Sequence, residues 1–316
     1  MKMKQVLLTV VAGAMMFTAV GFGGSAANAA ATPKQVEVLL NTVKMKFPDA
    51  KPFQDGQGSV MVPIRFVSEA LGAKVTYSKT GKVSKVGIKS KDHTVDMTIG
   101  QTTAIVDGQK KDYGTQIILK QNRTFVPLRL VSEGLGQKVE WDKIDRWVWI
   151  GNKDFRSTDD KAFKLTKLSD FKAYTQTVTQ FNNPTGEKFS AVKIIKQSDL
   201  PLQLGDGQIL YSLNVGESKG QAVLEIRSSE RGNPIAFLVK NSFARGRQAS
   251  DILFENNGDK TGMNRYPVQS GVDVFQNGDF VDNYDYTKFQ IKQADYILLK
   301  DDKLREYAVA IENPFK

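Results

Sequence analysis

The sequence predicts a two-part fold: an α+β N-terminal module of two repeats, each a strand, a short helix and a β-hairpin, followed by a mostly β C-terminal domain of sandwich or barrel-like type. Three observations carry this reading. A VPxRxVSExLG motif occurs twice in the first half, 64 residues apart. An alternating apolar pattern follows each copy. The second half breaks into short β-rich runs separated by Gly, Asn and Asp.

Taken in order, residues 1–29 read as a secretory signal peptide. Lys2 and Lys4 supply a positive start, Val6–Phe22 an apolar run, and Ala27-Asn28-Ala29 a small-x-small cleavage pattern. The apolar run has 17 residues and contains Thr and Gly, short of the roughly 20 apolar residues that a spanning helix needs. Cleavage after Ala29 and no integral membrane segment in the mature chain are therefore expected. The chain has no cysteine, which removes a lipid-modified cysteine, disulfides, thiolate metal sites and a cysteine nucleophile together. Glu312–Lys316 carry no hydrophobic tail, so any attachment at the surface is expected to be non-covalent. The expected location is secreted and extracellular, with cell-wall association.

Charge is spread unevenly. Residues 30–155 hold 20 Lys+Arg against 13 Asp+Glu, whereas residues 156–316 hold 22 against 21. An exported chain rarely meets nucleic acid, so the basic first half points to anionic wall polymers, lipid headgroups or glycans as partners.

The repeat is the strongest pattern. Met61–Tyr77 recurs as Phe125–Trp141 with Val, Pro, Arg, Val, Ser, Glu, Leu, Gly, Lys and Val retained. Upstream, Leu39–Phe47 reads against Ile105–Tyr113 at an offset of 66, and downstream Val86 and Ile88 answer Val148 and Ile150. The copies span about 36–90 and 95–151. Pro63 and Pro127 are predicted at the first helical position, where a missing N–H costs nothing. Gly72 and Gly136 stand where a left-handed C-cap wants glycine. Arg65 with Glu69, and Arg129 with Glu133, are spaced to pair along one helix face. They are read as braces, because neither copy adds a nucleophile or a second carboxylate nearby. Lys74–Tyr77 and Lys138–Trp141 alternate as strands, turn through Ser78–Lys82 or Asp142–Asp145, and return.

The doublet, with the Lys-Val-x-Tyr/Trp that follows each copy, resembles the copper amine oxidase N-terminal-like domain, or stalk domain, of exported Gram-positive proteins. The resemblance covers roughly residues 36–151 and implies a small α+β module attached to diverse partners. It does not imply amine oxidation, because the module is accessory to that enzyme. Asn283-Tyr284-Asp285-Tyr286 matches the core in which amine oxidases convert tyrosine to a quinone, but that step needs copper on three histidines. This chain has one, His93, in a turn of the other half. No cofactor and no metal are expected. Asp251–Gly262 is rich in oxygen ligands (Asp251, Glu255, Asn256, Asn257, Asp259) without EF-hand spacing, so calcium between Asp251 and Asp259 stays open.

Trp147 and Trp149 lie two apart on a strand and share one face, with Val148 and Ile150 on the other. That pair is the best binding candidate, as a platform for sugar rings, and packing against the C-terminal half is its competitor. Residues 152–162 are polar and suit a linker. Beyond them, in 163–316, Val192–Ile195, Gln208–Asn214, Ala222–Arg227, Ile235–Lys240, Val272–Phe275, Phe289–Lys292, Tyr296–Leu299 and Tyr307–Ile311 read as strands, and Phe163–Tyr174 as a helix or irregular opening.

The function expected is a secreted, non-catalytic cell-envelope protein, its stalk module a scaffold or wall-associating unit and its β domain a binder of glycan, peptide or protein. The alternative is a carbohydrate-active hydrolase with its carboxylates in the C-terminal domain.

Overall fold

The computed structural model describes residues 34–175, 181–182, 186–249, 251–255, 261–270, 274–276, 279–281, 286–299 and 306–316. The expected signal peptide, the loop at 256–260 and residues 283–285 of the tyrosine motif lie outside the described residues. Among the described residues the chain is mostly β, arranged in several sheets.

In the first half the elements are β1 (Glu37–Leu40), β2 (Val43–Lys44), β3 (Phe53–Gln54), β4 (Val60–Pro63), α1 (Ile64–Ala70), β5 (Lys74–Thr80), β6 (Val83–Lys89) and β7 (Thr94–Thr98). They continue as β8 (Thr103–Val106), β9 (Gln109–Asp112), β10 (Ile118–Lys120), β11 (Arg123–Pro127), α2 (Leu128–Gly134), β12 (Val139–Asp142) and β13 (Trp147–Ile150). Each VPxRxVSExLG copy thus ends a strand on proline, turns a seven-residue helix and enters an antiparallel strand pair. Both helices are too short to hold themselves. They survive by burying one face, Ile64 and Val67 in α1, Leu130 and Val131 in α2.

Strand pairing does not respect the boundary between the copies. β4 runs antiparallel to β11 with Val62 opposite Val126, so two residues 64 apart in sequence meet at the centre of the sheet β10-β11-β4-β3. β1 lies parallel to β13, Leu39 against Trp149, which puts the hairpin that opens the first copy on the strands that close the second. The counterpart hairpin β8-β9 sits instead on the sheet of β5 and β6, with β7 interposed. One core unites the module, from Val38 and Val62 through Val86, Ile88, Val95, Val126 and Leu130 to Val148 and Ile150. The copies interlock, and neither closes a core by itself.

The second half continues as β14 (Leu165–Lys167), β15 (Ala191–Ile195), β16 (Leu202–Gln203), β17 (Ile209–Ser218), β18 (Gln221–Ser228), β19 (Ile235–Leu238) and β20 (Arg245–Arg247). It ends with β21 (Asp251–Glu255), β22 (Thr261–Pro267), β23 (Val274–Gln276), β24 (Asp279–Val281), β25 (Tyr296–Leu299) and β26 (Tyr307–Glu312). One sheet has the order β14-β15-β26-β25-β19-β20 and the other β16-β17-β18-β22-β21. They share a core in which Ile195, Phe237, Ile297 and Ile311 of the first meet Leu202, Leu210, Leu224 and Tyr266 of the second. The outer face of the larger sheet is covered in turn by Leu168, Phe171 and Phe181.

Two local expectations are corrected and a third, the helical opening at Phe163–Tyr174, is met in part. Phe289–Lys292 is not a strand: single 3-10 turns at Tyr286–Lys288 and Ile291–Gln293 flank a buried Phe289, which packs on Phe237. Phe163–Tyr174 holds strand β14 and then a 3-10 stretch over Leu168–Tyr174. The polar segment 152–162 is no free linker. Thr158 is fully buried, its N–H donates to the Gln203 carbonyl, and Phe155 packs edge-on to Trp149 and Tyr211. Polar composition hid a segment whose backbone is satisfied by the sheet beside it. Residues Lys34–Lys316 accordingly form one compact unit. No helix among the described residues is long and apolar enough to cross a membrane.

Candidate functional site

The motif residues stand where they shape the helices. Pro63 and Pro127 occupy the N-cap rather than the first helical position, with extended ψ of 104° and 139°. Each ring closes its strand, and the helix starts one residue later. Gly72 and Gly136 have φ of +73° and +62°, the left-handed geometry expected after a helix end. Gly136 has a second reason to be glycine, because a Cβ there would overlap the His93 ring. His93 itself donates from Nδ1 to Asp107 Oδ2 at 2.9 Å, tying the β6–β7 turn to the β8–β9 turn.

The two Arg–Glu pairs differ. Arg65 Nε lies 3.9 Å from Glu69 Oε1 with both side chains exposed, which contributes little. Arg129 Nε donates to Glu133 Oε1 at 2.7 Å, and Lys111 and the Tyr113 hydroxyl also address Glu133. Hydrogen bonding from Arg129, helped by Lys111, outweighs desolvation and holds the Glu133 carboxyl below its ordinary pKa. The Tyr113 hydroxyl is pushed up to about 12 by burial and by the Glu133 charge.

Trp147 and Trp149 form no platform. They share a face of β13, but their rings are 2% and 4% exposed. They pack with Leu39 and Tyr211, partly covered by Phe155 and Ile209, and so join the module to β17 of the second half. A ring buried on both sides has no face for a sugar. The Trp147 N–H is also committed, to Glu37 at 2.9 Å.

Beside these rings lies an ionic cluster that the sequence did not announce. Arg227, 1% exposed, donates from Nη1 to Asp142 Oδ2 at 2.5 Å and Asp145 Oδ2 at 2.8 Å, and from Nε to Thr261 Oγ1 at 2.9 Å. Asp145 also accepts from Lys34 Nζ at 2.8 Å and Ser212 Oγ at 2.7 Å. Burial pushes the Asp145 carboxyl up, but the Lys34 charge and the bonds from Lys34, Ser212 and Arg227 overcome it and hold the group below its ordinary value. Asp142 Oδ1 meanwhile accepts the N–H groups of Ile144 and Asp145. The β12–β13 turn is thereby shaped to present two carboxylates to one arginine of the other half.

Two further concavities among the described residues bear on function. A basic groove of about 530 Å³ runs between residues 47–54, the end of β10 and the turn before β13, with Lys34, Lys51, Lys120 and Arg146 around Phe47 and Phe53. Its one carboxylate, Asp49, is paired with Arg123. Lys120 Nζ stands 4.2 Å from the Phe53 ring centre, Lys51 is bonded to the neutral Gln35 amide, and Arg146 Nε is buried with no acceptor among the described residues. The second concavity, about 450 Å³, is lined by Tyr113, Pro127, Leu128, Arg129, Val139 and Trp141. Neither was legible beforehand. The basic excess of the first half was visible, but not which four cations converge.

Comparison with known proteins places the first half. Residues 39–150 match the family model of the copper amine oxidase N-terminal domain, so the module of interlocked copies is a domain of that type. No curated protein and no solved structure matches the chain. The residues present do not fit copper. His93 is the single histidine, and no group of three His, Cys, Asp or Glu among the described residues could hold a metal ion.

Proposed function

We propose that this chain is a secreted, non-catalytic cell-envelope protein whose stalk-type module, an α+β doublet, associates with an anionic wall polymer. The observation that carries the proposal is the basic groove: Lys51, Lys120 and Arg146 converge there without a carboxylate partner among the described residues, and Asp49 is already matched by Arg123. A phosphate-bearing polymer satisfies such a site, its charge meeting the cations and its carbon chain lying along Phe47 and Phe53. The β-rich half, locked to the module through Arg227, is the part that recognises a further glycan, peptide or protein. A hydrolase reading would need a free carboxylate pair in a concave pocket. Asp142 and Asp145, which the fold brings together at the junction of the two halves, do not supply one, because Arg227 and Lys34 neutralise them.

The test is sedimentation of the purified protein with cell walls carrying or stripped of teichoic acid, across a salt series. Binding to intact walls is expected at low salt, weakening as the Debye length shrinks from about 10 Å at 0.1 M to about 3 Å at 1 M. A triple variant K51A/K120A/R146A is expected to lose it. Equal binding to stripped walls, or an unaffected triple variant, would sink the proposal.

A further inference from the structure

The groove between α2 and β12 is lined by residues that differ from those at the matching positions of the first copy. In the first copy Phe47 packs edge-on to Phe66 with ring centres 5.7 Å apart, and the Arg123 guanidinium lies over Phe66 at 5.7 Å. At the matching positions of the second copy stand Tyr113, Leu130 and Ser59. Leu130 is fully buried below the surface, so the ring of Phe66 has no equivalent, and Ser59 is too short to cover the gap. As a result Leu128 is only partly buried where its counterpart Ile64 is 1% exposed. Val139 and Trp141, on one face of β12, form the opposite wall.

The polar groups on this groove are mostly donors. The Trp141 indole N–H has no hydrogen-bond partner among the described residues, unlike the Tyr77 hydroxyl at the matching position, which donates to Ser84 at 3.0 Å. Arg129 uses Nε on Glu133 and turns an exposed guanidinium to the rim. Ser59 shares a hydrogen bond with Thr115. The local acid, Glu133, is already held by Arg129 and Lys111. An occupant must therefore offer an apolar face to Trp141 and acceptor oxygens to the indole and guanidinium N–H groups. The volume lies within the usual range for small-ligand sites.

We propose that this groove binds a pyranose of an N-acetylated glycan, its C–H face stacked on Trp141 and its acetamido carbonyl accepting from the Trp141 N–H or Arg129. This site is separate from the basic groove and does not depend on it. A neutral sugar satisfies the donors without adding charge, whereas a proline-rich peptide, the other partner suited to aromatic grooves, is the competing occupant.

The experiment is a titration of the protein with ¹⁵N-labelled tryptophan, following the three indole N–H signals by NMR. N,N′,N″-Triacetylchitotriose and cellotriose serve as probes, at low salt and at 0.5 M salt. The acetylated sugar is expected to move the Trp141 signal saturably, independently of salt, and to bind about tenfold more tightly than cellotriose, the worth of roughly one hydrogen bond to a well-placed donor. W141A should abolish binding. W141F keeps a stacking ring but lacks the donor, and should weaken it severalfold; unmoved Trp147 and Trp149 signals report that each variant is folded. K51A/K120A should leave sugar binding intact while impairing wall-polymer binding, so the two proposals fail separately. No shift with either sugar, equal affinity for both, an unaffected W141A, or a proline-rich peptide binding where the sugars do not would each overturn the proposal.

Discussion

At the scale of single residues, the buried Arg227 dominates. A guanidinium taken out of water needs partners of good geometry, and Asp142, Asp145 and Thr261 are among those that meet it. Removing it leaves two buried carboxylates with a single cation, Lys34, which is bonded to Asp145 alone. Arg227→Ala is therefore expected to destabilise the protein by about 3–5 kcal/mol, measured as a drop in the urea midpoint. The triple change R227M/D142N/D145N removes the charges together and is expected to cost markedly less. Were the single and triple variants equally unstable, packing rather than charge would be the larger effect. Sequence reading found none of this. Asp142 and Asp145 looked like turn residues, and they are, with Asp142 Oδ1 closing the turn. Their second role depends on a strand 82 to 85 residues away in sequence.

The two glycine caps offer a controlled comparison at the scale of elements. Gly72 and Gly136 share the left-handed conformation, but a Cβ at Gly72 meets open space and one at Gly136 meets His93. Gly72→Ala is expected to cost about 1 kcal/mol, the backbone penalty alone. Gly136→Ala should cost distinctly more, and H93A should relieve the excess in a double-mutant cycle. Thermal unfolding of the four proteins decides it; equal penalties at the two glycines would mean that the His93 contact carries no weight. The two helices, the cap glycines and the two-faced character of β13 were legible in the motif, because each follows from short-range backbone geometry; the helix starts were misplaced by one residue. That both faces of β13 are buried was not. Alternation assigns residues to faces, and only the neighbour of each face decides burial, so Trp147 and Trp149 became interior and Trp141 lined the open groove.

For the whole molecule the expectation concerns acid. The Asp145 carboxyl is held below its ordinary pKa in the fold. Such a group adds stability that is fully present above the unfolded value, about 3.9 for Asp, and is lost as pH falls through the folded one. The junction of module and β-rich half is thus expected to loosen as pH falls below about 4. The readout is a red shift of tryptophan emission as Trp147 and Trp149 reach water. The triple variant, lacking these charges, should show a flatter pH response, and an identical acid transition would place its cause elsewhere. The same junction predicts that residues 34–151 expressed alone expose both rings and self-associate, seen as a concentration-dependent mass in light scattering.

The duplicated motif, its helices and cap glycines, the class of the first module and the β character of the second half follow from the order of the amino acids. Those properties rest on local periodicity and on residues with restricted backbone geometry, which act over a few positions. Only folding brings about the exchange of hairpins between the copies, the packing of the polar 152–162 stretch, the clamp of two turn aspartates on a buried arginine, and one basic and one aromatic groove. Each of these is a meeting of residues far apart in the chain. A one-dimensional pattern fixes what a residue can tolerate, and the fold chooses what it touches.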